Sequence, residues 1–147
     1  LAGLRAAWPA LAVDEEAVRF GAATHDLGKT LHPAELNGPG RRHERDGPAL
    51  LEREGVAPEL ARFARSHGAW QTEPAALEDL LVALADACWK GARRQELESA
   101  LGELIAARLG ADRWAVWLAL DDLIESVAAG ADRRLAWHNQ FPIAPPS

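Results

Sequence analysis

The segment AATHDLGKTLH, residues 22–32, ends a small apolar run on an adjacent imidazole and carboxylate, His25 and Asp26, and follows them with Gly28 and Lys29. Val18, Ala22, His25 and Asp26 fall at i, i+4, i+7 and i+8, one stripe of a helix. The apolar members of that stripe are expected to face a core, so the titratable pair should face inward with them. A second carboxylate, Asp86, interrupts EDLLVALADACWKG, residues 78–91, which is apolar on every face over positions 80–85. Both acids stand where an unpaired charge costs several kcal/mol. Inward carboxylates and an inward imidazole either repel one another or share a cation, and a divalent metal satisfies all of them. Mixed imidazole and carboxylate donors suit Mn, Fe, Co, Ni or Zn, with Mg possible where oxygen dominates.

His43 and His67 fall at expected helix ends, where side chains can line a cleft. Lys29, a point charge on a flexible stem, suits a phosphate contact. Arg41, Arg42 and Arg45 bracket His43 and could serve in the same way. Each group also has a purely structural reading. His25 and Asp26 could bond each other at a helix end, and Asp86 could pair with Arg93 or Arg94. His43 and His67 could be surface caps. Lys29 could simply complement the helix dipole. Glu44 and Asp46 read as a general base, as supports for the site, or as first-turn helix charges. His32 reads as a loop residue and His138 as solvent-exposed.

The elements that must position these groups read as helices joined by glycine and proline. Residues 1–8 look like the tail of a helix, broken at Pro9. Asp14 caps a helix expected to run to Leu27, with Gly28 just beyond its C-terminus. A polar connection around Asn37-Gly38-Pro39-Gly40 holds at most a short turn near 33–36. Further helices are expected over 43–54, from Pro58 to about 68, over 78–90, over 94–109, and from Asp112 to a stop at Gly130. A last turn is expected over 132–137. The tail NQFPIAPPS, from 139, should be extended or disordered. Strand-like alternation is scarce, so the fold class is all-α, with about six to eight helices.

The length of 147 residues suits one domain over 1–138, with a metal-site core over about 14–94 and a helical hairpin over about 94–137. The net charge of −6 argues against a nucleic-acid partner. Cys88 is the single cysteine, read as a small core residue, so there is no internal disulfide, in keeping with a cytoplasmic compartment. No apolar run approaches a membrane span and no membrane partner is expected. The chain has no Met and begins at Leu1, so sequence upstream of Leu1 is expected. Of six tryptophans, Trp8, Trp89, Trp114, Trp117 and Trp137 read as packing residues. Trp70 reads as a candidate border of the cleft. The Trp-rich helix could also form a homodimer interface.

The pair in HDLGK, His43 in RHERDGPALL, His67 in ARFARSHGAW and Asp86 in ALADACWKGAR together resemble the HD-domain metal-dependent phosphohydrolases over roughly residues 14–94. The resemblance implies that His25, Asp26 and Asp86 bind a metal, and that His43 and His67 bind a second metal or the substrate phosphate. It also implies one or two divalent transition-metal ions and a small phosphorylated substrate, a nucleotide among them. Asp26 and Lys29 then carry the catalysis, with Lys29, His43, His67 and Arg42 contacting substrate. The family's pattern opens with a further histidine upstream of the pair, and none of the twenty-four residues before His25 is histidine. That ligand is expected upstream of Leu1. If it is lacking, the chain reads as a non-catalytic module binding a nucleotide or a protein partner. A di-iron oxygenase version of the fold is a further alternative.

Overall fold

The computed structural model describes residues 1–36, 38–72 and 75–141. Asn37 of the polar connection and residues 142–147 of the expected tail lie outside the described residues. The α-helices are α1 (Ala2–Ala7), α2 (Glu15–Thr24), α3 (Arg42–Arg53), α4 (Pro58–Ala61), α5 (Phe63–Ala69), α6 (Leu77–Trp89), α7 (Gln95–Leu109), α8 (Arg113–Ala128) and α9 (Ala131–His138). Seven of these segments, all but α1 and α4, run to seven residues or more, and the described residues include no strand. Short 3-10 helices cover Leu27–Leu31 and Pro33–Glu35.

Helix α6 is the centre of the molecule. Its segment Leu80–Leu84 is buried on every face, as an all-round apolar helix must be. It packs on α2, α5, α7, α8 and α9. Its N-terminus is closed from inside the protein. The buried Asp79 carboxylate accepts the Ala76 N–H at 3.0 Å and the Ser66 hydroxyl at 2.6 Å. Gly55, Gly91 and Gly110 follow α3, α6 and α7 with φ of 87, 74 and 59°, as their place in the sequence predicts. The Asp14 and Asp112 carboxylates each accept a first-turn N–H at 2.9 Å.

Three expectations change. Helix α2 stops at Thr24 rather than Leu27, and Asp26 opens the following 3-10 helix. Gly28 therefore does not terminate a helix, and its φ is not positive. It is needed for contact: a Cβ there would collide with the His43 carbonyl oxygen and come 3.0 Å from Gly47 Cα. The bare Gly28 lets the 3-10 helix lie directly on α3 and brings the His25–Asp26 pair up to His43. Second, Trp114 and Trp117 are not core residues; they stack on each other at 5.2 Å on the exposed face of α8, and Trp137 is exposed as well. Third, Ala22 is exposed, because its side of α2 borders a cavity rather than the core.

Adding a methyl group to a filled backbone contact costs about 1–3 kcal/mol. Gly28→Ala is accordingly expected to lower the urea midpoint without changing its slope. An unchanged midpoint would show that the contact between the 3-10 helix and α3 is not tight.

Candidate metal centre

Four segments deliver the polar groups. The turn after α2 carries His25 and Asp26, the second residue of α3 is His43, α5 carries His67 near its end, and α6 carries Asp86. All three imidazoles are fixed through Nδ1. His25 Nδ1–H donates to the Ala22 carbonyl at 3.0 Å and His67 Nδ1–H to the Phe63 carbonyl at 3.1 Å. His43 Nδ1–H donates to Glu35 Oε2 at 2.7 Å. These oxygens only accept, so each ring holds its proton on Nδ1 and keeps the Nε2 lone pair free.

The three Nε2 atoms converge on two carboxylates. His43 Nε2 lies 3.3 Å and His67 Nε2 3.8 Å from Asp26 Oδ1. His25 Nε2 lies 3.7 Å from Asp26 Oδ2 and 3.4 Å from Asp86 Oδ1. Two donor groups result, Asp26–His43–His67 and His25–Asp26–Asp86, with the donor atoms of each within 4.8 Å of one another. Asp26 belongs to both. His25 Nε2 is buried and has no hydrogen-bond partner among the described residues. A buried lone pair aimed at two carboxylates, with nothing donated to it, fits a cation that accepts all three. The donor set, imidazole nitrogen with carboxylate oxygen, is that of a divalent transition metal.

Lysines balance the acids. Lys29 Nζ lies 2.6 Å from Asp26 Oδ2, and Lys90 Nζ 2.7 Å from Asp86 Oδ1. Burial pushes the Asp86 carboxyl up, but His25 and Lys90 outweigh it and hold it well below the usual carboxylate range. Burial opposes ionisation of Asp26 too, and Lys29 overrides it to lower the pKa. Burial disfavours a charged His25, yet the Asp86 and Asp26 carboxylates raise its pKa above the ordinary value. His67 goes the other way: burial first, then the charge of His25, lowers it to about 4. His67 is thus neutral, and a competent donor, across the physiological range.

Glu35 is the member that the sequence did not mark. It lies in the connection before α3 and looks there like a solvated loop acid, yet it is buried. Besides His43 Nδ1, it accepts the backbone N–H groups of His43 and Arg42, each at 3.1 Å. Burial raises its carboxyl, but these donors prevail and hold the pKa at about 2. Lys90, four residues after Asp86 at the C-cap of α6, is marked by its spacing.

Other expectations are corrected. The Arg42 side chain is exposed and lines neither cavity at the cluster, while its backbone N–H donates to Glu35. Arg45 and His32 both contact Asp46, so the partners of that acid lie outside the cluster. Arg93 pairs with Glu98 and Asp121, not with Asp86. Trp70 packs against the main core and lines neither cavity at the cluster. Those cavities meet at Asp26, Lys29, Asp86 and Lys90. One, of about 340 Å³, is walled by His43, Glu44, His67, Arg41 and Arg94. The other, of about 620 Å³, opens past His25 and Trp89.

Helices arranged around a histidine and aspartate cluster define an all-α metal-site domain. The family model of the HD domain matches residues 2–89, and the chain belongs to that family. The matched span contains both donor groups and Glu35. HD domains bind divalent metals, and most are metal-dependent phosphohydrolases. No curated protein and no solved structure matches the chain. No helix among the described residues is long and apolar enough to cross a membrane.

Asp26 serves both donor groups, so Asp26→Ala is expected to abolish binding of Mn²⁺ or Zn²⁺ while the helical circular dichroism persists. A variant that still holds a full complement of metal would remove Asp26 from the ligands. Losing the oxygen that orients a ligand histidine typically costs 10–100-fold in affinity. Glu35→Ala should show a loss of about that size by chelator competition, and Glu35→Gln, which can still accept from Nδ1, a smaller one. Protons compete with metal at Nε2. Because the His25 pKa is raised, affinity should fall as the pH drops from about 8 to about 6, whereas His67, titrating near 4, does not contribute there. A pH-independent affinity over that window would exclude His25 as a ligand.

Proposed function

We propose that this HD domain is a phosphohydrolase that uses one or two divalent ions to cleave the phosphate ester of a small metabolite. The observation that carries the reading is the shared carboxylate: two donor groups of mixed nitrogen and oxygen chemistry have Asp26 in common. Bound there, a divalent ion supplies a Lewis acid for a phosphoryl oxygen and lowers the pKa of a water. The protein's own residues do the rest. Arg41, Arg94, Lys29 and Lys90 line the smaller cavity beside the cluster and offer positive charge to an anionic group. Lys29, already held against Asp26, stands at the junction of the two cavities, where it can contact a phosphate oxygen next to the ligands. Glu35 keeps the His43 lone pair aimed at Asp26.

A second reading, a binding module without turnover, has one observation in its favour. Lys29 and Lys90 already pair with the two carboxylates, so the cluster is charge-compensated by the chain itself.

The test is elemental mass spectrometry on protein purified without chelator or nickel resin, alongside the Asp26→Ala, Asp86→Ala double variant, followed by a panel of phosphate mono- and diesters. About one or two equivalents of Mn, Co, Ni or Zn in the parent, none in the variant, and metal-dependent phosphate release support the hydrolase. Bound iron with oxygen uptake and no phosphate release would instead indicate the oxygenase. Absence of metal even after added Mn²⁺ would favour the binding module. In the hydrolase, Lys29→Ala should raise KM for phosphate esters about tenfold, the scale of one charge-assisted contact, with little change in metal content. An unchanged KM would place Lys29 outside the substrate site.

A further inference from the structure

The larger of the two cavities has a character that phosphate binding does not explain. Its charged groups, Asp26, Lys29, Asp86 and Lys90, are the ones it shares with the smaller cavity. Away from that edge the wall is apolar: Leu36, Val82, Ala85, Trp89 and Leu135, with Ala22 opposite. Ala22, Ala85 and Trp89 are apolar residues left exposed on the faces of α2 and α6 that border this cavity. At the outer end Trp89 and His138 meet at 5.8 Å with their rings at 86°, forming an aromatic corner. The volume of about 620 Å³ lies within the range of small-molecule sites.

The far wall is built by α9, beyond the matched span of residues 2–89. It is firmly anchored. The Arg134 guanidinium donates to the Cys88 carbonyl at 3.1 Å, the Trp89 carbonyl at 3.1 Å and the Val127 carbonyl at 2.8 Å. Two of those carbonyls end α6; the Cys88 carbonyl also accepts the Gly91 N–H at 3.0 Å, and the Arg134 cation complements the dipole of the helix. Gly91, at φ 74°, turns the chain closely enough that a Cβ there would come 2.9 Å from the Ala131 Cβ. Leu135 and His138 thereby line the same cavity as His25 and Asp86.

We infer that this cavity is a subsite for the alcohol half of the phosphate ester, and that it accepts a planar aromatic group against Trp89, Leu135 and His138. The inference rests on the phosphohydrolase reading for the reaction, but not for the binding. An ester lying across both cavities puts its phosphorus at their common edge, beside Asp26 and Lys29. In its hydrolysis the water oxygen forms the new P–O bond, the ester P–O bond breaks, and the aromatic alcohol leaves carrying a proton from that water. Nucleosides and simple aryl alcohols share the required chemistry.

Two measurements test the subsite. In the first, the metal-loaded protein is assayed on adenosine monophosphate, phenyl phosphate and ribose 5-phosphate. The aromatic esters are expected to have kcat/KM about tenfold or more above the sugar phosphate, in line with stacking on an aromatic side chain. Trp89→Ala should bring that ratio toward one. Because Trp89 also supports α9, the exposed His138→Ala and the half-buried Leu135→Asp serve as independent variants. In the second, saturation-transfer NMR follows the ring protons of adenosine and phenyl phosphate with metal-free protein. Transfer is expected with the parent chain and its loss with Leu135→Asp. A preference for one aromatic ester over the other identifies the source of the ring, nucleoside or aryl. If ribose 5-phosphate is hydrolysed as well as the aromatic esters and no transfer is seen, the subsite is overturned while the hydrolase stands. If no ester is cleaved yet transfer is seen and Leu135→Asp abolishes it, the subsite stands and the hydrolase falls. Transfer that persists unchanged in all three variants overturns the subsite.

Discussion

Three imidazoles and two carboxylates share one partly buried cluster, and the rest of the molecule is arranged around the cost of keeping them there. Uncompensated charges in such a place would each cost several kcal/mol. The compensation works through direction as much as charge. Every ring is tethered by its Nδ1 proton, to the Ala22 carbonyl, the Phe63 carbonyl or Glu35, so every Nε2 lone pair turns toward Asp26 or Asp86. The acids are in turn held ionised by Lys29 and Lys90. A set of lone pairs so aligned, including one at His25 without a donor, is electrostatically complementary to a divalent ion.

That alignment needs backbones closer together than ordinary side chains allow. The 3-10 helix after Asp26 reaches α3 because Gly28 and Gly47 present bare Cα atoms to each other. The approach puts His43 opposite Asp26. Glu35, folded back under the start of α3, fixes the same histidine from the other side while accepting two of the helix's free N–H groups. One carboxylate therefore helps both to start a helix and to aim the His43 ring at Asp26.

The cluster then divides its surroundings. On the side of His43 and His67 the walls carry arginine and lysine; on the side of His25 they carry leucine, valine and tryptophan. Reactive groups at a border between a charged and an apolar compartment suit a molecule that has both an anionic and an apolar half. The family match ends at Trp89, so the histidine and aspartate cluster and the wall contributed by α9 come from different parts of the chain.

Much was legible in the residues alone. The all-α class follows from alanine- and leucine-rich stretches with glycine at their ends, because helix periodicity and stop signals act over a few residues. Asp86 within an apolar segment and the His25–Asp26 pair stood out because charge there is expensive. Local signals did not reach other features. Gly28 looks like a helix stop, and only the packing of α3 reveals it as a contact. Trp114 and Trp117 have core composition, but α7 covers the other face of α8, and they stack outside. Glu35 resembles any loop acid until the chain folds it under His43. Arg42 and Arg41 are neighbours with equal charge, and the turn of one helix places Arg41 on the cavity and leaves Arg42 in solvent. The sequence by itself determined which residues could bear the chemistry and that helices would carry them, since both depend on residue type and short spacing. Only the tertiary structure decided which nitrogen of each histidine faces the acids, which cations neutralise them and which helix walls the cleft, because those depend on contacts between segments far apart in the chain.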